Sequence, residues 1–253
     1  MAEHLFDCWE EVSRRVGAAS AVRVFLDFDG TLAPLRTKLE EVQLSRDTRL
    51  ALRRLLRHRH VTVAIVSGRR RGELARHVSL PRVQYWGLYG WERRSDCSLP
   101  RRVRLVLSRA HDRLTDVLRG LPGVRIENKG LGFSIHVRGA SPCAERKAVG
   151  RLRRALARYD PDLYVMPGTK VWNVLPRQVP GKGPAVRDAL KRVRSPFLPI
   201  YVGDDATDEP AFVVLAHGIT VRVGPARRTK ARYRLSGPAE VRGFMERLEG
   251  ELS

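Results

Sequence analysis

Two apolar segments that end in carboxylates constrain the fold of this chain more than any other feature. Residues 22–32 carry an apolar run into Asp27 and Asp29, and residues 199–209 carry another into Asp204. Short apolar runs bounded by glycine predict buried strands. A pair of aspartates at one strand end also fits ordinary turn chemistry. Two such ends in one chain favour a shared hard cation, because buried carboxylates are costly unless something neutralises them.

Two further segments add groups that suit a phosphoryl ligand. Residues 61–69 form a predicted strand that ends in Ser67 and Gly68, and Lys182 precedes a helical pattern. Small hydrogen-bonding groups at a strand end and a lysine at a helix start fit a dianionic phosphoryl group. Arg69 follows Gly68 and opens a run of three arginines, so it is either a phosphate ligand or a solvated side chain. Together the four segments predict a phosphoryl-transfer site.

The order of elements predicts an open α/β core interrupted by a second domain. Strand and helix patterns alternate in residues 1–98 and 177–253, which is typical of a Rossmann-like parallel sheet. Residues 99–176 instead predict an inserted α+β domain, because the lysine and the late acidic cluster lie beyond it. We also predict an amphipathic helix over residues 3–16 and a later helix with Asp47 as its N-cap.

Charge and cysteine usage bear on partners and compartment. The net charge of +21 arises from 48 lysine and arginine residues against 27 aspartate and glutamate residues, and it raises nucleic-acid binding as an alternative function. These basic residues are scattered through every predicted helix, which favours a solvated surface and electrostatic steering over specific nucleic-acid recognition. Cys8, Cys97 and Cys143 lack metal-type spacing. Their wide separation favours a reduced, cytoplasmic setting. No apolar run approaches the length of a membrane span, and we expect a monomer or a small homo-oligomer.

The motifs resemble those of a known superfamily. Residues 27–32, residues 67–69, Lys182 and residues 203–209 are similar to the four motifs of the haloacid-dehalogenase-like (HAD) phosphatases. Within that superfamily the chain most resembles the trehalose-6-phosphate phosphatase family, through residues 86–92, 127–130 and 168–183. The resemblance implies an α/β fold, with a Rossmann-like HAD core and an inserted α+β cap domain of type C2. It also implies Mg²⁺ as cofactor and a small sugar phosphate as substrate.

The resemblance assigns a role to each core motif. Asp27 is the expected nucleophile that forms an aspartyl-phosphate, and Asp29 the acid and base that serves the sugar oxygen and then water. Mg²⁺ is expected on Asp27, the backbone carbonyl of Asp29, and Asp204. Asp205 and Asp208 are expected behind these ligands, where they orient metal-bound water and Lys182. The groups expected to hold phosphoryl oxygens are Gly30, Ser67, Gly68, Arg69 and Lys182. An acid at position 29 favours a phosphatase over a dehalogenase.

The predicted cap residues carry the choice of sugar. The family members contact disaccharide hydroxyls at the positions of Glu127 and Lys129, although such a pair also fits a surface ion pair. The family usually has glutamate where Asn173 stands and histidine where Tyr89 stands. We expect Asn173 to line the sugar pocket, with a changed shape there. The leading substrate is trehalose 6-phosphate, and the alternative is another phosphorylated disaccharide or pseudo-disaccharide.

Overall fold

The chain forms two compact units. The computed structural model describes residues 2–35, 42–93, 98–159, 161–191, 193, 195–225 and 228–252. The first unit comprises Met1–Arg94 and Pro180–Ser253, and the second comprises Ser95–Val179. The boundaries predicted from the sequence, after residue 98 and after residue 176, lie within the second unit, and that assignment stays a prediction.

A seven-stranded sheet forms the centre of the first unit. Its strands are β1 (Glu3–His4), β2 (Val22–Leu26), β3 (Val61–Val66), β4 (Gln84–Trp86), β9 (Leu198–Gly203), β10 (Ile219–Val223) and β11 (Tyr233–Leu235). They lie in the order β1-β11-β10-β9-β2-β3-β4, and the pairings within the described residues are parallel. The inner strands are nearly continuous apolar runs because both faces of the sheet are covered.

Helices cover both faces of this sheet. They are α1 (Trp9–Gly17), α2 (Arg46–Leu55), α3 (Arg71–Val78), α6 (Lys182–Leu190), α7 (Glu209–Val214) and α8 (Pro238–Glu251). Val24 of β2 packs in one apolar cluster with side chains of α1, α2, α3 and α8, whereas Phe25 packs in another with side chains of α6 and α7. Successive side chains of a strand point to opposite faces, so β2 contributes to both clusters. The first unit is thus an α/β/α sandwich.

The strand order places the predicted site at a topological switch point. From β2 the chain continues to β3 and β4 on one side, and later to β9, β10 and β11 on the other. Leu26 is in register with Val202, and the Asp27 N–H donates to the Val202 carbonyl at 2.9 Å. Parallel α/β sheets bind ligands in the crevice at the carboxyl ends of the strands beside such a switch. Asp27 and Asp204 therefore follow adjacent strand ends.

Three local predictions were wrong or incomplete. The helix predicted over residues 3–16 is two elements, β1 and α1, because the N-terminal backbone pairs with β11: Glu3 N–H donates to the Arg232 carbonyl at 3.2 Å. The N-cap of α2 is Ser45 rather than Asp47, since the Ser45 hydroxyl accepts from the Thr48 N–H at 3.1 Å. The short elements α7 and β11 had no sequence prediction.

The second unit is an antiparallel sheet with two helices. Its elements are α4 (Arg101–Leu118), β5 (Arg125–Asn128), β6 (Phe133–His136), α5 (Pro142–Leu156), β7 (Leu163–Gly168) and β8 (Val171–Pro176). The strand order is β5-β6-β8-β7, and α4 packs against α5. His111 of α4 contacts the ring of Phe133, so Phe133 marks the helix-covered face. Glu127, Ser134 and Asn173 share the opposite face.

The helices do not have the character of membrane spans. Of the helices described, none combines the length and the apolar composition needed to cross a bilayer.

Candidate active site

Asp27 and Lys182 form a buried ion pair at the end of β2. The Lys182 Nζ lies 2.8 Å from Asp27 Oδ1 and 2.8 Å from Asp208 Oδ1, and Lys182 is 2% exposed. As the first residue of α6, Lys182 sits at the positive end of the helix dipole, which disfavours a cation. Burial also opposes the charge, yet Asp208 and Asp27 raise the pKa of Lys182 well above its usual value. The carboxylates therefore hold Lys182 as an ammonium ion.

Three carboxylates gather beside the Lys182 ammonium, and two of them, Asp27 and Asp208, contact it. Oxygens of Asp27, Asp204 and Asp208 lie within 4.8 Å of one another. Burial raises the pKa of Asp27 well above its usual value, and the charges of Asp208 and Asp204 add to the effect while Lys182 opposes it. Burial and the charge of Asp208 raise the pKa of Asp204 to about 7. The three carboxylates outnumber the Lys182 ammonium, so the cluster can accept a cation that prefers hard oxygen ligands.

Two glycines make this convergence possible. Gly30 has a φ of +84°, and a Cβ there would lie 2.1 Å from Asp204 Oδ2. A Cβ on Gly203 would lie 2.3 Å from Asp208 Cγ. Any other residue at either position would push a carboxylate out of the cluster. The Thr31 hydroxyl also donates to Asp204 Oδ1, at 3.4 Å, which keeps that side chain against the loop after β2.

Asp208 is held by three donors. Its Oδ1 accepts from Lys182 and, at 2.7 Å, from the Tyr201 hydroxyl, while its Oδ2 accepts from the Asp205 N–H at 3.0 Å. Asp205 and Asp208 thereby cap the turn at residues 206–208 reciprocally. Burial and the charge of Asp208 raise the pKa of Tyr201 well above its usual value, so Tyr201 is a neutral donor. Tyr201 was not predicted as a site residue, because it lies within the apolar run of β9.

Asp29 is not one of the three clustered carboxylates and instead pairs with Arg69. The Arg69 Nε lies 2.7 Å from Asp29 Oδ2, and its Nη2 lies 2.8 Å from Asp29 Oδ1. Arg69 is 4% exposed, so the alternative of a solvated Arg69 was wrong. Burial would lower the pKa of Arg69, but the hydrogen bond and charge of Asp29, with help from Glu73, raise it. The side chain of Asp29 is therefore bound in a bidentate ion pair.

Ser67 and Gly68 directly follow β3 and lie beside a turn with left-handed residues. Ser67 is buried, and its hydroxyl accepts from the Arg69 N–H at 3.2 Å. Leu88 and Tyr89 are both left-handed, with φ of 44° and 57°. A Cβ on Gly68 would lie 2.8 Å from the Tyr89 ring. Tyr89, where the resembling family usually has histidine, therefore packs directly on the predicted phosphate-binding backbone.

The predicted sugar-binding residues lie on the second unit. Glu127 Oε2 is 2.8 Å from His136 Nε2 and 3.7 Å from Lys129 Nζ. His136 had not been singled out from the sequence. Asn173 is 2% exposed; its Oδ1 accepts from the Ser134 hydroxyl at 2.7 Å, and its Nδ2 donates to the Met166 carbonyl at 3.2 Å. Both ends of the Asn173 amide are thus engaged within the sheet, which weighs against direct contact with a sugar.

Glu209 serves the fold rather than the carboxylate cluster. Its Oε1 accepts from the Thr229 hydroxyl and its Oε2 accepts from the Lys230 N–H, each at 2.8 Å. Glu209 therefore anchors the segment before β11 to the start of α7.

Comparison with known proteins points to one family. The family model described as trehalose-phosphatase matches residues 25–239. Trehalose 6-phosphate phosphatase RA3 of Zea mays is 33% identical, over 89% of this chain and 69% of its own length. The trehalose-phosphate phosphatase of Mycobacterium ulcerans is 34% identical, over 91% of this chain and 62% of its own length.

Solved structures share the fold. The C-terminal domain of a trehalose-6-phosphate phosphatase from C. albicans matches 99% of this chain and 98% of its own, at 21% identity and a TM-score of 0.83. A haloacid dehalogenase-like hydrolase from Bacteroides thetaiotaomicron matches 90% of this chain and 100% of its own, at 17% identity and a TM-score of 0.62. The predicted HAD-like α/β fold is confirmed by these likenesses.

Proposed function

The chain belongs to the trehalose-phosphatase family and is a phosphoric monoester hydrolase, and we propose that it converts trehalose 6-phosphate to trehalose and phosphate. The observation that carries the proposal is the buried cluster at the ends of β2 and β9. There the Asp27 carboxylate lies against the Lys182 ammonium and within 4.8 Å of two further carboxylates. A nucleophile, a cation site and a fixed positive charge are what phosphoryl transfer to an aspartate requires.

We assign a Mg²⁺ ion to this cluster. Its protein ligands would be Asp27, Asp204 and the backbone carbonyl of Asp29. The donor set fits, because it consists of oxygens and the three clustered carboxylates outnumber the ammonium. Asp208 fits a place behind the ligands, since both of its oxygens already accept hydrogen bonds. When bound, the ion would supply charge stabilisation for the phosphoryl oxygens and for the carboxylates that face them.

The side chains divide the reaction into two displacements. Asp27 attacks phosphorus, and the bond from phosphorus to the sugar oxygen breaks as Asp29 gives that oxygen a proton. Asp29 then takes a proton from the water that attacks the aspartyl-phosphate, and the bond from phosphorus to Asp27 breaks. Lys182 keeps the Asp27 carboxylate oriented through both steps. Ser67, with the Gly30 and Gly68 backbone, supplies donors for the phosphoryl oxygens.

We assign recognition of the sugar to the polar face of the inserted sheet. Glu127 and Lys129 suit hydroxyl groups, since charged side chains form the stronger hydrogen bonds to them. The engaged amide of Asn173 keeps the alternative open that a different disaccharide or pseudo-disaccharide phosphate is the preferred substrate. The free thiols of Cys8 and Cys143 support a reducing compartment, so we also propose a cytoplasmic location; Cys97 lies outside the described residues.

Phosphate release with Mg²⁺ present tests this function. The panel contains trehalose 6-phosphate, another disaccharide phosphate and glucose 6-phosphate. Trehalose 6-phosphate should give the highest kcat/KM, and an activity no better than that on glucose 6-phosphate would reject the proposed substrate.

The variant Asp27→Asn tests the nucleophile. It is isosteric and removes the attacking oxygen, so kcat should fall by about 10⁴-fold or more while the circular dichroism spectrum is retained. The matched control is Asp47→Asn, which alters an exposed carboxylate paired with Arg242 and should leave turnover unchanged. Substantial turnover by Asp27→Asn would exclude the aspartyl-phosphate route.

A further inference from the structure

The Asp29 carboxylate is gripped on both oxygens by one buried guanidinium. The Arg69 Nε and Nη2 donate to Oδ2 and Oδ1 of Asp29 at 2.7 and 2.8 Å, which is the paired arrangement that fixes a carboxylate plane. The Arg69 Nη1 donates to Glu73 Oε1. At least three of the five N–H donors of Arg69 are therefore committed to carboxylates. Asp29 keeps 21% of its side-chain surface exposed, so it remains reachable from outside.

Arg69 is itself immobilised. Its guanidinium carbon lies 5.4 Å from the centroid of the buried Phe28 ring. The backbone N–H of Arg69 donates to the Ser67 hydroxyl at 3.2 Å, and the backbone carbonyl of Arg69 accepts from the Leu88 N–H at 2.8 Å. Glu73, the other carboxylate that pairs with Arg69, has its Oε1 3.7 Å from Nε2 of His77, one turn further along α3. A side chain fixed this firmly can set the direction of its partner.

We propose that Arg69 is a positioning residue for Asp29, anchored by Glu73, and orients the carboxyl that protonates the leaving sugar oxygen. This inference rests on the proposed function, in which Asp29 is the proton donor. It replaces the role of Arg69 as a phosphate ligand that the motif resemblance implied. Because proton donation depends on direction as well as distance, an unheld carboxyl would transfer its proton less effectively.

A positioning role and a phosphate-binding role for Arg69 predict different effects of the leaving group on the kcat/KM of Arg69 variants. A sugar alkoxide is a poor leaving group and needs a proton as it departs, whereas p-nitrophenolate departs without one. The kcat/KM value covers the steps up to departure of the alcohol, so it reports on this proton transfer and excludes the later attack of water. Loss of positioning should therefore damage kcat/KM for the sugar phosphate selectively. Loss of a phosphate ligand should damage both substrates alike.

The experiment compares trehalose 6-phosphate with p-nitrophenyl phosphate at saturating Mg²⁺. Arg69→Gln should lower kcat/KM for trehalose 6-phosphate about 100-fold, within the range for general acid catalysis, and for p-nitrophenyl phosphate by no more than about 3-fold. Arg69→Lys should lie between Arg69→Gln and the wild type, since an ammonium cannot hold both oxygens. Glu73→Gln should show the same selectivity with a smaller loss. The control is Arg70→Lys, because Arg70 is the exposed neighbour that pairs with Glu92 instead.

A double-mutant cycle adds a second readout. If Arg69 acts through Asp29, Arg69→Gln should have little further effect in an Asp29→Asn background on trehalose 6-phosphate, because both changes remove the same proton transfer. Equal losses on both substrates, an unchanged or raised kcat/KM for trehalose 6-phosphate, or additive effects in the cycle would overturn the positioning role. A wild-type protein that hydrolyses neither substrate would overturn the proposed function itself, and the inference with it.

Discussion

The carboxylate cluster of the first unit and the polar sheet face of the second differ in how their charged groups are held. In the first, Asp27, Lys182 and Asp208 are at most 4% exposed, and each contacts at least one of the others. In the second, Glu127 and His136 retain 31% and 23% of their side-chain surface, and they contact each other at a sheet edge. Each charged group of the cluster is therefore held by buried partners, whereas the charged groups of the sheet face are partly exposed and can adopt other positions more easily.

The difference separates reaction type from substrate choice. Buried charges tolerate little change, because removing one partner leaves another uncompensated in a low-dielectric site. Half-exposed groups can be exchanged at small cost to stability. We therefore expect the phosphoryl chemistry to be common to proteins that share the cluster, and the sugar to vary with residues such as Asn173 and Tyr89.

Gly30→Ala should disrupt the first region although it replaces no charged residue. The added methyl would collide with Asp204 Oδ2 at 2.1 Å in a backbone conformation that disfavours alanine. Displacing Asp204 by an ångström should lower kcat/KM about 100-fold. Gly72→Ala in α3 is the control, since its added Cβ would meet no atom within 4 Å. Near-normal activity of Gly30→Ala would contradict the claim that turnover depends on the exact position of the Asp204 carboxylate.

Glu127→Gln tests the second region. Losing the charge-assisted hydrogen bond should lower kcat/KM for trehalose 6-phosphate about 10-fold and leave p-nitrophenyl phosphate unaffected. Glu145→Gln, which alters a carboxylate paired with Lys170 on the same unit, should affect neither. A loss shared by both substrates would mean that Glu127 supports the fold or the chemistry rather than recognition of the sugar.

The long apolar strands at the centre of the first sheet were predictable, and the two-residue edge strand β1 was not. The inner strands β2, β3 and β9 are apolar runs, so hydrophobic pattern alone identified them and the acids that follow. The edge strand β1 is only Glu3–His4, and it exists because β11 offers its backbone. Nothing local in two polar residues predicts that pairing.

Within the site, the residue types were predictable and several of the partners were not. The convergence of Asp27 and Asp204 follows from strand ends that lie on one sheet edge. The contact of Arg69 with Asp29 depends on the turn after β3, and an arginine run gave no indication of it. Tyr201 was missed for another reason. The sequence does not show which acceptor a buried tyrosine hydroxyl has, and here the acceptor is Asp208.

Tyr201→Phe tests whether Asp208 needs all three of its hydrogen-bond donors. Phenylalanine keeps the packing against Phe25 and Phe212 but removes one of three donors to Asp208. We expect a loss of about 1–2 kcal/mol in stability and a severalfold lower kcat. Tyr164→Phe removes a hydroxyl that donates to the Val179 carbonyl at 2.8 Å, so it should change stability without changing kcat. Equal kcat effects in the two variants would show that Tyr201 has no particular link to Asp208.

The last prediction concerns stability rather than turnover, namely a pH dependence of the melting temperature in EDTA. Asp204 has a pKa of about 7 in the folded protein against a usual 3.8, so the folded state binds its proton more tightly than the unfolded state. This contribution to stability is present at low pH and is lost as pH rises from about 4 to about 7. The melting temperature should fall across that range, and Asp204→Asn should flatten the decline. If the melting temperature of Asp204→Asn fell with pH as steeply as that of the wild type, the decline would arise from other titrating groups.

The central claim is that Asp27 captures phosphorus, and peptide mapping after an acid quench tests it most directly. The protein is mixed with trehalose 6-phosphate and Mg²⁺, quenched within the first turnover, digested and analysed by mass spectrometry. We predict one phosphoryl group on the peptide that contains Asp27, and none in the Asp27→Asn variant. Trehalose formation with no phosphopeptide in a quench series that resolves the first turnover, or a phosphoryl group on a different residue, would contradict it.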